Sequence, residues 1–318
     1  MSEPELLNTR QMAQFAARGF LRFDGAVPAE LNQGFLDDIG RAGKHAGGHA
    51  SEDSNENEPA NIEELYPRIM ASSTIPVVPA GTPFCKTYPA DSALGRILAL
   101  PILSGAIRSL VGENCVFDHH FLHIAFPPNA LSKPPRSQNT HQDSTIDPRR
   151  AFDIQILYYP HAVTSNMGGT RFVPGTHLRI VSEAAIARYQ NMVGQQHVVC
   201  AAGTLLIMHH GLWHGGGANT SQALRYMFKI RLCPTAPQIR LWDTSDLDEE
   251  PAQRPIFWLD HEPDPQSVQT ILTTPEPWQE ADTGRLEYLN RIRFWRYLID
   301  DESFDADYWL TRVENEPV

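Results

Sequence analysis

Between Val111 and Cys115 the hydrophobic period of the chain changes, and that change decides the fold class. Ahead of it the apolar residues recur at helical spacing. Asn8 to Arg18 reads as a short amphipathic helix stopped by Gly19, with a strand at Phe20-Leu21-Arg22-Phe23. Pro28 to Lys44 is a second helix with Leu31, Phe35 and Ile39 on one stripe, and Ala93 to Val111 a third, broken by Pro101. After it, Cys115 to Phe126 alternates as a strand does, and a proline-rich segment follows. Phe152 to Tyr159, Thr170 to Val173, His197 to Cys200, Thr204 to Met208 and Leu224 to Cys233 are further short strands between Gly and Pro breaks. Helices first and a run of short strands afterwards predict a mostly β protein with flanking helices. Its core is an antiparallel double sheet or barrel wrapped by the amino-terminal helices. Glu287 to Leu298 and Asp305 to Val313 read as closing helices that pack Trp295, Tyr297 and Trp309, and Ala46 to Asn61 reads as a mobile surface insertion.

Composition narrows the function. A length of 318 residues with 42% apolar content is a folded globule with a real core, and residues 1–318 read as a single domain. The net charge of −12 gives no basic field for nucleic acid or an anionic membrane. The four cysteines form no CxxC pair, and Cys115, Cys200 and Cys233, set in or beside apolar runs, read as buried thiols. The acidic start Met1-Ser2-Glu3-Pro4-Glu5 lacks the features of a signal peptide, and apolar stretches such as Gly203 to Met208 are too short to cross a bilayer. A cytoplasmic protein binding a small molecule is the expectation, with no nucleic-acid or membrane partner; the oligomeric state is not legible.

The chemistry lies in two stretches. His141-Gln142-Asp143 offers an imidazole and a carboxylate two residues apart, which an extended strand turns to the same side. A second imidazole from a distant strand completes a face of two nitrogens and one carboxylate. That set suits non-haem ferrous iron and leaves the opposite coordination positions open. His209, His210 and His214 compete for this role. Three glycines after His214 permit close backbone approach, and Arg225, 11 residues further on, is able to take a carboxylate by two parallel bonds. Alternation sets His119 and His123 on one face of their strand with Phe117 and Phe121, and His120 on the other; His123 is the best placed to face a pocket. Gln138 and Gln155 are polar candidates of the same standing. Trp213 reads as core, and Arg149 and Arg150 as a solvated turn.

Four segments resemble the phytanoyl-CoA dioxygenase family of iron(II)- and 2-oxoglutarate-dependent oxygenases. They are Gln11 to Asp24, His141-Gln142-Asp143, the Asn166 to His177 hairpin with Val173-Pro174-Gly175-Thr176-His177, and His214 to Ser221 leading to Arg225. The likeness spans about residues 8–233, and residues 234–318 form a carboxy-terminal extension matched by no motif. The resemblance implies a double-stranded β-helix core of the jelly-roll or cupin kind. It implies Fe(2+) held by His141, Asp143 and His214, 2-oxoglutarate held at its distal carboxylate by Arg225 with His123 touching it or the substrate, and O2 as co-substrate. In the family the ligand directly precedes the glycine run, which favours His214 over His209 and His210. Gly175 and His177 are read as structural. Related halogenases lack the carboxylate that Asp143 supplies, so hydroxylation of a small or medium-sized metabolite is the expected reaction. Two other readings stand beside it: a cupin-type zinc or manganese enzyme that does not use 2-oxoglutarate, and a non-catalytic small-molecule-binding barrel.

Overall fold

The structure is a computed structural model that describes residues 3–45, 74–143, 149–179, 181–247 and 264–306. Helix α1 (Thr9–Arg18) begins at Asn8, whose side chain accepts from the Gln11 amide while the Gln11 side chain accepts from the Asn8 amide. It ends at Gly19, which takes a φ of +78°. A side chain there would strike the His177 ring, so both the turn and the packing require glycine. Strand β1 (Phe20–Phe23) and helix α2 (Ala29–His45) follow. The expected third helix is two, α3 (Ala93–Leu98) and α4 (Pro101–Val111), separated where Pro101 was expected to break it.

The strands are β2 (Val116–Ala125), β3 (Ile154–Tyr159), β4 (Thr170–Phe172), β5 (Gln196–His197), β6 (Thr204–His209), β7 (His214–Gly216) and β8 (Arg225–Cys233). Five form an antiparallel sheet in the order β1-β6-β3-β8-β2, and three form a second in the order β5-β4-β7. A reciprocal bridge between His141 and His214 extends the second sheet by one residue beyond β7. From β3 onward the chain crosses to the small sheet for β4 and β5, returns for β6, crosses for β7 and returns for β8, a back-and-forth path of the jelly-roll kind.

Alternation then sorts the core. On the outer face of the large sheet Ile154, Ile156, Tyr158, Leu205, Ile207, Phe228, Ile230 and Leu232 join the helices in one cluster. On the inner face Leu157, Tyr159, Leu206, Met208 and Met227 meet Phe172 of the small sheet. Phe20 and Phe172 close the gap edge to face, 4.8 Å apart.

Phe117 corrects one expectation. A register shift between Phe117 and His119 sets Phe117 opposite Leu232, and it packs against His120 and Tyr88 on the helix side rather than sharing a face with His119 and His123. The last helix, α6 (Ala281–Ile299), starts six residues earlier than expected, after a short α5 (Val268–Thr273). Trp295 is buried against Trp242, and ion pairs Arg18–Glu276 and Arg179–Glu287 tie this region to the barrel. The expected loop at 46–61 lies outside the described residues, as does nearly all of the expected helix at 305–313. Cys115 is buried, whereas Cys200 and Cys233 are only half-buried and Cys85 is exposed. Among the described residues no helix is long and apolar enough to cross a membrane.

Candidate metal centre

His141 and His214 are opposed across the edge of the small sheet, each amide donating to the other's carbonyl at 2.9 Å. Directly paired residues share a face, so the two rings stand together with centroids 4.5 Å apart. Asp143, two residues past His141, joins them from the same side. His141 Nε2 lies 3.4 Å from Asp143 Oδ1, and His214 Nε2 lies 3.4 Å from Oδ2. One ligand atom from each of the three falls within 4.8 Å of the others.

The tautomers are fixed from behind. His141 Nδ1 sits 2.9 Å from the Asn139 carbonyl and His214 Nδ1 sits 2.9 Å from the Leu212 carbonyl. A carbonyl only accepts, so both Nδ1 atoms carry hydrogen. In the neutral rings both Nε2 lone pairs then face a carboxylate, an arrangement that repels unless a cation stands between them. The donor set therefore fits a divalent metal, with the backbone carbonyls orienting the ligands. The Asp143 hydrogen bond is the main cause of a raised His141 pKa. Burial, followed by the neighbouring His141 cation, pushes His214 down, with Asp143 opposing. Burial raises the Asp143 carboxyl, but His141, His214 and Lys229 outweigh it and hold the group well below the usual carboxylate range.

The glycines after His214 pack closely. A Cβ on Gly215 would press on the Gln138 and Asn139 carbonyls, and one on Gly217 would meet the Gly168 backbone at 2.9 Å. The run therefore forms a strand, β7, that glycine content had hidden from the pattern reading. It pairs with β4 through Phe172 and His214.

Arg225 opens β8 and is buried, with no hydrogen-bond partner at Nε or Nη1. Burial lowers its pKa. A buried guanidinium with free donors fits a carboxylate, as the distal end of a keto-diacid supplies. Alternation along β8 turns Met227, Lys229 and Arg231 to the same inner face, opposite His123, Phe121 and His119 of β2. His123 is solvent-accessible, and partial burial, followed by the Lys229 and Arg225 charges, lowers its pKa to about 4.

Lys229 is the residue that sequence reasoning missed. Its Nζ donates to Asp143 Oδ2 at 2.8 Å. The signal was available, since strand spacing from Arg225 puts it on the inner face. His209 turns away into an aromatic cluster with Phe15, Phe152 and Phe294, while His210 is buried with its amide on the Asp153 carbonyl. Gln138 is structural, its Oε1 accepting from the Gly216 amide. His177 lies buried with Nε2 3.1 Å from the Ala16 carbonyl, as a structural role requires. Trp213 is buried and stacks on Tyr189.

Comparison with known proteins adds to this geometry. The family model for phytanoyl-CoA dioxygenase matches residues 15–227. Uncharacterized proteins of Mycobacterium tuberculosis and Mycobacterium bovis are each 30% identical over 135 residues, 41% of this chain and 48% of theirs. The chain thus spans about half the length of the curated relatives it matches. Among solved structures, the non-heme alpha-ketoglutarate-dependent carbocyclase SnoK from nogalamycin biosynthesis is 15% identical with a TM-score of 0.49, over 78% of this chain and 94% of that one. HygX from Streptomyces hygroscopicus with nickel and 2-oxoglutarate bound is 15% identical with a TM-score of 0.47, over 72% of this chain and 88% of that one.

Proposed function

The chain belongs to the phytanoyl-CoA dioxygenase family, and from that premise we propose that it is an iron(II)- and 2-oxoglutarate-dependent oxygenase that hydroxylates a small or medium-sized metabolite. The observation that carries this reading is the convergence of His141 Nε2, His214 Nε2 and an Asp143 oxygen, with both Nδ1 atoms held on backbone carbonyls. Ferrous iron, when bound, supplies the activation of O2, with 2-oxoglutarate as the two-electron donor that leaves as succinate and carbon dioxide.

The protein's part is positional. His141 and His214 present preset lone pairs, and Asp143 brings the one anionic ligand. Arg225 anchors the distal carboxylate of 2-oxoglutarate through its free donors, which fixes which end reaches the metal. His123, neutral at physiological pH, adds a hydrogen-bonding group to the cavity without a further cation. Leu157, Leu206, Met208 and Met227 form the apolar part of the inner wall and limit water there.

The test is oxygen uptake coupled to succinate release. Both are expected to require ferrous iron and 2-oxoglutarate together. Succinate release that persists without iron, or with Asp143→Ala, would overturn the reading.

A further inference from the structure

The inner wall carries polar groups that the proposed metal and 2-oxoglutarate roles do not use. Register sets Gln155 of β3 beside Arg231 of β8 and Met208 of β6 on the inner face. Gln155 is 0% exposed, and neither its Oε1 nor its Nε2 has a hydrogen-bond partner. His210, in the turn after β6, is 1% exposed with both ring nitrogens unpartnered. Its amide donates to the Asp153 carbonyl, and Asp153 pairs with Arg231, so His210 lies beside that ion pair. Each unsatisfied buried polar group costs about 1–3 kcal/mol, and native proteins keep few of them. Two such side chains near Arg231 on the inner side of the large sheet are what a polar guest would satisfy. An alkyl chain would leave all four atoms without partners.

Charge selects the kind of guest. Of the three inward cations on β8, Arg225 is assigned above to 2-oxoglutarate. Arg231 is neutralised by Asp153 and Asp118. Lys229 is buried, and its bond to Asp143 leaves two N–H donors. Once Asp143 is committed to a metal, Lys229 is the cation beside the centre with no carboxylate of its own.

We propose that the prime substrate is a small polar metabolite bearing a carboxylate, held by Lys229, with Gln155 and His210 taking its neighbouring hydrogen-bonding groups. This rests on the oxygenase reading and deepens it.

The full chain, loaded anaerobically with ferrous iron and saturating 2-oxoglutarate, is titrated with 3-hydroxybutyrate and with phenylacetate, each beside its primary amide. Thermal shift reads probe binding, and the visible iron-to-ketoacid charge-transfer band reports that 2-oxoglutarate stays in place. The acids are expected to bind about tenfold more tightly than the amides. Lys229→Met should abolish that preference, Lys229→Arg should retain it, and Gln155→Leu should weaken acid and amide alike. Parity of acid and amide, no binding of either acid, or a preference that survives Lys229→Met would overturn the inference. Absence of the charge-transfer band before any probe is added would bring down the oxygenase reading and this inference with it. A normal band with acid–amide parity brings down the inference alone.

Discussion

Two pairs of histidine rings lie in this molecule at nearly one separation, 4.5 Å for His141 and His214 and 4.9 Å for His177 and His209. Their surroundings are opposite. The first pair aims two Nε2 atoms at a carboxylate, with the Lys229 ammonium on the same oxygen that His214 faces. The second is packed among Phe15, Phe152 and Phe294, and its ring nitrogens engage the backbone: His177 Nε2 at the Ala16 carbonyl, His209 Nδ1 at the Gly211 amide. Ring proximity is therefore a poor marker of a site. What distinguishes them is what surrounds the rings, a shared carboxylate in one case and packed aromatic side chains in the other.

The sharpest way to break this contrast is Asp143→Ala. Metal-dependent stabilisation and succinate release should both fall to background, whereas His177→Ala should leave the metal-dependent rise in melting temperature intact. Loss of metal response in the His177 variant would erase the distinction. Arg225→Ala should raise the 2-oxoglutarate requirement by roughly one to two orders of magnitude, the loss of a buried charge-assisted anchor. Metal affinity, followed by calorimetry, should change little.

The stability of the second pair is tested by His177→Ala itself, which should cost about 2–3 kcal/mol in urea unfolding by opening a void in the aromatic cluster. A smaller effect comes from pH. Burial, with the His209 and Arg291 charges, holds His177 well below its ordinary value, and burial lowers His210 to about 3. The unfolded chain then binds protons that the native one does not. Stability should be full above pH 6.5, the ordinary histidine value, and should fall as pH drops below it. His177→Leu should flatten the slope of urea midpoint against pH between 7 and 5; an unchanged slope would assign the effect elsewhere.

Much of this was legible in sequence because it rests on local rules. Asn8 and Gly19 bound α1 through capping and a left-handed turn, and the strand positions follow from alternation. The spacing of His141 and Asp143 set both on one side. What was not legible depends on pairing. A single register shift after Phe117 reversed that ring's face, which no alternation count contains. β7 was hidden because its Gly-rich stretch lacks strand-forming side chains; backbone contacts with the Gly168 turn and the 138–139 segment shape it instead. Lys229 was visible by spacing from Arg225, but its meaning needed Asp143 brought across from another sheet. The unpartnered state of Gln155 likewise appears only when β6 and β8 flank it.

The reciprocal amide–carbonyl pair between His141 and His214 has an engineering consequence. It makes the spacing of the two imidazoles a property of ladder geometry, independent of how long the flanking connections are. Guest-binding segments on either side of that rung are thus open to grafting or lengthening, so a designer seeking new selectivity inherits the centre's dimensions without redesigning them.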